Sequence, residues 1–280
     1  MGNIDYEAEY NNRRRVPEHP AVNARWQTAS DACRGTARAE LDQPYGPGER
    51  QRYDLFLAAS RPAPLVVYIH GGYWQRGERQ GYAFLAPALN AAGVDLALPS
   101  YTLCPAASVM DIVAELRRFL AALWAKTRTY PLVAGHSAGG HLTAAMVATD
   151  WGKVSGVPGD LVRAGVAISG VFELAPLVGT SINDLVGLDA ASAKAASPLL
   201  WPPPPRGRTL VAAVGGEESG EFLRQSRDIT EAWGRAGVTT ECLIVPGANH
   251  FTVVDTLTDP KSPLFARITS LAREVSARKA

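Results

Sequence analysis

From residue 51 onward the chain alternates short apolar runs with longer stretches of helical periodicity. QRYDLFLA (51–58) alternates in the manner of a half-buried strand. PLVVYIH (64–70) is short, apolar and rich in β-branched residues, and VDLALPS (94–100), YPLVAG (130–135), RAGVAISG (163–170), TLVAAVGG (209–216) and TTECLIVPG (239–247) are further short, largely apolar runs. Such runs suit parallel strands covered on both faces. Between them lies AASVMDIVAELRRFLAALWAKT (106–127), which places Val109, Ile112, Val113, Leu116, Leu120, Leu123 and Trp124 on one helical face. AGGHLTAAMVAT (138–149), EFLRQSRDITEAWGRAG (221–237) and a closing stretch over 262–279 also read as helices. Strands alternating with helices predict right-handed crossovers and an α/β fold: a mostly parallel central sheet with helices on both faces. In such sheets reactive groups gather at the carboxyl ends of the strands.

Two portions depart from the alternation. Residues 1–50 are polar with scattered aromatics (Tyr6, Tyr10, Trp26, Tyr45) and read as short helices and loops laid, lid-like, over the rest. Residues 171–205 carry small helical pieces and end in Pro202–Pro205, a cap or excursion. The whole, 1–280, is expected to be one domain, a length that supports a large core. With 28 Lys and Arg against 27 Asp and Glu, the charge balance favours neither nucleic acid nor an anionic membrane surface. The three cysteines, Cys33, Cys104 and Cys242, are odd in number and far apart, so they indicate free thiols rather than a metal site or disulfide framework. No apolar leader or membrane-length run is seen, so the expectation is a cytoplasmic protein without cofactor or metal, acting on a small molecule.

The most constrained stretch is VAGHSAGGHLT (133–143). Gly135-His136-Ser137-Ala138-Gly139 matches G-x-S-x-G between a predicted strand and a predicted helix, the setting of a nucleophile elbow. A serine on so sharp a turn forces its neighbours two positions away against other backbone, where only glycine fits. The helix beginning after Ser137 points its first amides at any oxyanion formed there. A plain glycine-rich turn would carry the same letters; the flanks favour the elbow. Upstream, His70-Gly71-Gly72 follows the 64–70 run, as the oxyanion loop does in α/β hydrolases. The expected donors are the N–H groups of Gly71, Gly72 and Ala138. Tyr73, Trp74, Tyr101 and Phe251 are candidates for the pocket wall.

In the α/β-hydrolase order the acid and then the base follow the serine. Of five histidines, only His250, in VPGANHF after the last predicted strand, lies late enough. His70 is assigned to orienting its loop, and His136 and His141 to packing or hydrogen bonding. The acid should follow the 209–216 strand: Glu218 is the choice and Glu217 the runner-up.

These residues resemble the kynurenine formamidase (arylformamidase) group of the α/β hydrolases, close to hormone-sensitive-lipase-like esterases. HGGYW (70–74), YTLCP (101–105), GHSAGGHL (135–142), EFLRQS (221–226), NHF (249–251) and the amino-terminal YNNRRRVPEHP carry the likeness across nearly the whole chain. The resemblance implies acyl transfer with Ser137 as nucleophile, Glu218 as acid and His250 as base. It implies an aryl formamide such as N-formylkynurenine as substrate, and a homodimer. The group's pattern has Asp-Ser-Pro-Glu-Phe where this chain has Glu218-Ser219-Gly220-Glu221-Phe222. A general carboxylesterase, amidase or lactam hydrolase on the same scaffold is the nearest rival. A catalytically silent binding protein is the rival of another class.

Overall fold

The computed structural model describes residues 4–277. Eight strands make one sheet: β1 (Ala39–Pro44), β2 (Arg52–Phe56), β3 (Leu65–Ile69), β4 (Asp95–Pro99), β5 (Pro131–His136), β6 (Ala164–Ile168), β7 (Thr209–Gly215) and β8 (Thr239–Val245). Their spatial order is β1-β2-β4-β3-β5-β6-β7-β8. β2 runs antiparallel to β1 and β4, and all other pairs are parallel.

Strands β3, β4, β5 and β6 are buried at every residue because helices cover both faces. The pleat divides their side chains. Leu65, Val67 and Ile69 pack with the helices Val109–Thr127, Ala138–Ala148 and Gly220–Arg235. Val66 and Tyr68 pack with the helices His19–Thr36, Ala86–Ala91 and Pro263–Ala277. Each aliphatic side chain buried this way contributes about 1.5–3 kcal/mol. The edge strands β1 and β8 are only partly covered.

The 106–127 prediction gains a sharper start. Ser108 accepts from the Asp111 amide and Asp111 accepts from the Ser108 amide, so a capping box begins the helix at Val109. Positions 278 and 279 of the expected closing helix lie outside the described residues. Residues 171–205 form the small pieces Ala175–Leu177, Asn183–Val186, Ala190–Ala195 and Pro198–Leu200. Phe172, Leu174 and Leu177 bury on the face that holds the 138–148 helix.

The first fifty residues are more ordered than their composition suggests. Besides the short helices Tyr6–Tyr10 and Asn12–Arg15 they hold an 18-residue helix, His19–Thr36, and the edge strand β1. The helix buries Val22, Trp26, Ser30 and Cys33, a stripe at helical spacing with only one aliphatic member. AELDQP alternates over only four residues and has no β-branched or aromatic side chain, and backbone bonds to β2 hold it in the sheet. Among the described residues no helix is long and apolar enough to cross a membrane.

Buried ionic contacts tie this segment to the sheet. Asp54 on β2, fully buried, accepts from Arg34 of the 19–36 helix, from Arg79 Nε at 3.3 Å and from the Asp42 amide at 2.8 Å. Arg79 also reaches Asp42, Glu78 and Ser100. Removing one partner of a buried pair strands the other charges. Asp54→Ala should therefore lower unfolding free energy by about 3–5 kcal/mol in urea titration. A loss below about 1 kcal/mol would mean that Asp42 alone satisfies both guanidiniums.

Candidate active site

Ser137 stands between β5 and the Ala138–Ala148 helix with φ 57° and ψ −117°. This left-handed conformation is costly for a side-chain-bearing residue and persists only where its surroundings enforce it. The Ser137 amide donates to Ile168 O at 2.8 Å, and Ser137 O accepts from the His141 amide at 3.1 Å. A Cβ on Gly139 would lie 2.0 Å from Ile69 O, and one on Gly135 2.3 Å from Gly139 O. The first amides of the helix, beginning at Ala138, have no intrahelical acceptor.

Glu218 and His250 form a directed pair. His250 Nδ1 lies 2.6 Å from Glu218 Oε2, and both side chains are almost wholly buried. Glu218 Oε1 accepts from the Gly215 amide at 2.8 Å and from Ser169 Oγ. With the carboxylate anchored on one oxygen and facing His250 with the other, Nδ1–H is the favoured tautomer and leaves Nε2 an acceptor. His136 Nε2 holds His250 O at 2.7 Å, and the Phe222 ring packs 4.7 Å from the His250 ring. Asn249 Oδ1 accepts from the amides of Phe251 and Thr252, closing the turn that carries His250. No hydrogen bond within 3.5 Å joins Ser137 Oγ to His250. Both residues line one cavity.

That cavity, about 570 Å³, is also walled by Gly71, Gly72, Tyr73, Trp26, Tyr82 and Phe251. A Cβ on Gly71 would lie 2.8 Å from His136 O and 3.0 Å from Ser137 Cβ, so the loop after β3 passes directly against the serine. Gly72 has φ 114°, and a Cβ there would meet Arg76 O at 2.3 Å. Tyr73 and Trp74 continue with positive φ, at 50° and 57°. Behind the loop, His70 stacks on Tyr101 at 4.4 Å, and its Nδ1 lies 2.8 Å from Gly71 O. Burial pushes His70 down to about 4. His141, bonded to Ala196 O, is also pushed down to about 4 by burial. Burial, then the neighbouring His250, holds His136 well below the ordinary imidazole range.

The BD-FAE family model matches residues 53–164. Kynurenine formamidase of Salmo salar is 30% identical over 242 residues, spanning 82% of this chain and 81% of the relative. The chain belongs to the kynurenine formamidase family. The protein of that name from Drosophila melanogaster is 27% identical, with 75% of this chain and 74% of the relative covered. A Silicibacter sp. TM1040 structure, proposed to be a thioesterase, superposes with TM-score 0.86 at 32% identity, covering 95% of this chain and 100% of that one. Esterase B of Lactobacillus rhamnosis superposes with TM-score 0.72 at 20% identity over 92% of this chain and 96% of that one. The last likeness carries the fold alone, the α/β-hydrolase fold. Family membership makes the chain a hydrolase.

In this kynurenine formamidase relative, Glu217 is exposed while Glu218 turns inward to His250. Of the four proposed wall aromatics, Tyr73 and Phe251 line the cavity. Trp74 and Tyr101 do not: both are fully buried behind the loop, Trp74 edge-on to His141 and Tyr101 stacked on His70. Positive φ at Trp74 turns it into the core. Trp26, one of the aromatics of the lid-like amino-terminal segment, also lines the cavity, held by its Nε1 bond to Asp255 at 2.6 Å. Ser169, at φ 50° after β6, is a residue that sequence reasoning misses; its only sequence signal is the Ser-Gly that ends the strand.

Two outcomes follow from these contacts. Gly139→Ala should yield little folded protein by circular dichroism and thermal melting, because its Cβ meets rigid backbone on β3. The pH dependence has a defined sign. His70 and His141 have folded values near 4 against 6.5 when unfolded. Unfolding then takes up protons, so stability is complete above about pH 6.5 and falls toward pH 4, by up to a few kcal/mol for each. Urea titrations at several pH values should show this, and His141→Gln should reduce the slope. An unchanged slope would assign it to other groups.

Proposed function

We propose that the chain is a serine hydrolase that works through an acyl-enzyme on an aryl formamide such as N-formylkynurenine. The observation that carries this reading is the anchored Glu218–His250 pair sharing a cavity with a serine on a strained elbow. Ser137 Oγ attacks the formyl carbon as His250 Nε2 takes its proton. Glu218 keeps the tautomer and offsets the imidazolium charge. The oxyanion settles among the N–H groups of Gly71, Gly72 and Ala138, which are fixed before the reaction begins. Collapse breaks the C–N bond, and His250 returns the proton to the departing aryl amine. Water, deprotonated by the same imidazole, then releases formate and restores Ser137.

The substrate class rests on shape. A formyl group adds only hydrogen on the acyl side, which suits the close approach of Gly71 to Ser137. An aryl leaving group suits a wall that offers Trp26, Tyr73, Tyr82 and Phe251. Phe251 is stacked on His19 and Trp26 on Phe84, so two of these rings are held in place.

The test is a comparison of initial rates on N-formylkynurenine, p-nitrophenyl acetate and an aryl thioester. The formamide should be turned over fastest. Ser137→Ala should remove roughly 10⁴-fold or more of kcat with unchanged melting temperature. Glu218→Gln should cost far more than Glu217→Gln; the reverse would move the acid. Ester or thioester turnover with negligible formamide turnover, still lost in Ser137→Ala, would keep the mechanism and discard the substrate.

A further inference from the structure

The cavity carries positive charge that the chain does not neutralise. Arg13, beyond the first short helix, and Arg76, on the loop after β3, both line it and are exposed. Neither guanidinium has a hydrogen-bonded or acidic partner among the described residues. They are close enough to feel each other: burial, then the charge of Arg76, loosens the proton of Arg13. The cavity's only carboxylate among the described lining residues, Glu78, is engaged by Arg50, Arg79 and Ser100. His136, held neutral, adds no charge.

A third donor lies beside them. Asn12 lines the same cavity, is 5% exposed, and its Nδ2 is buried without a partner. Leaving such a donor unsatisfied costs about 1–3 kcal/mol. An anion held by this amide and the two guanidiniums would satisfy the donor and offset their charge.

These groups are not on a loose tail. Tyr10 is fully buried, donates to Glu221 Oε2 at 2.8 Å and accepts from Gln225 Nε2 at 2.6 Å. Tyr73 OH donates to Tyr10 O at 2.7 Å. Asn11 donates to Glu7, which accepts from the Ser181 amide and hydroxyl. The segment that carries Asn12 and Arg13 is therefore in place before any ligand arrives, which leaves the two guanidiniums as the groups that order on binding.

We propose that Asn12, Arg13 and Arg76 form a carboxylate-binding subsite that selects substrates carrying a free carboxylate away from the reacting bond. This rests on the cavity being the substrate site, as in the reading above, and not on formamide chemistry. The planar guanidinium forks and the amide N–H match a carboxylate's two oxygens.

The test uses the full chain with Ser137→Ala, so that binding is read without turnover. The probes are 4-oxo-4-phenylbutanoate, its primary amide and phenyl phosphate, titrated by calorimetry at low and high salt. The carboxylate should bind about tenfold more tightly than the amide, and the gap should shrink with salt. Arg13→Met and Arg76→Met, each checked by melting temperature, should each remove about fivefold of that preference, and the double variant nearly all of it. Equal affinity for acid and amide, no binding of either, tighter binding of phenyl phosphate, or equal weakening of acid and amide in the variants would each overturn the subsite. An intact acid preference with no turnover of N-formylkynurenine by the unsubstituted chain would retire the proposed reaction and leave the subsite standing.

Discussion

The contact on which the site depends is made by backbone alone: Gly139, in the first turn of the elbow helix, lies against the carbonyls of Ile69 and His70 at the end of β3. No side chain could separate these two pieces without breaking the sheet. The approach brings Gly71 onto Ser137 and sets the loop after β3 beside the helix amides. The positive φ of Ser137 is stored in this contact and held by its bond to Ile168 O on the adjacent strand. Central strands buried on both faces make the platform stiff enough to keep such strain.

Around that platform the ends of neighbouring strands divide the work. Ser169, after β6, and Gly215, closing β7, anchor Glu218. The turn after β8 presents His250, and His136 at the end of β5 holds its carbonyl. The remaining wall comes from far away in sequence. EFLRQS supplies Glu221 and Gln225 to hold Tyr10 of the amino-terminal segment, which brings Asn12 and Arg13 to the cavity. The buried cluster at Asp54 does the same for the 19–36 helix and thus for Trp26.

Legibility followed from how local each constraint is. The elbow could be read because strand, glycines and helix are contiguous, and their steric reason lies within five residues. His250 could be read because chain order left one histidine. Glu218 and Glu217 stood side by side, and only the fold turned one inward. Trp74 and Tyr101 misled because aromatics beside a loop have no local signal for which side they face. The helix 19–36 was faint because one aliphatic residue marks its buried stripe, and β1 because an edge strand needs only a neighbour's backbone.

The sequence by itself determined the α/β alternation, the position of the strained serine turn and the order of the candidate acid and base, since periodicity, glycine sterics and chain order are local or ordinal properties. Tertiary structure alone decided which ring faces the cavity, which of two adjacent glutamates meets His250, and that two arginines more than sixty positions apart share one unneutralised space. Those are relations between surfaces brought together by burial, and no window along the chain contains both partners.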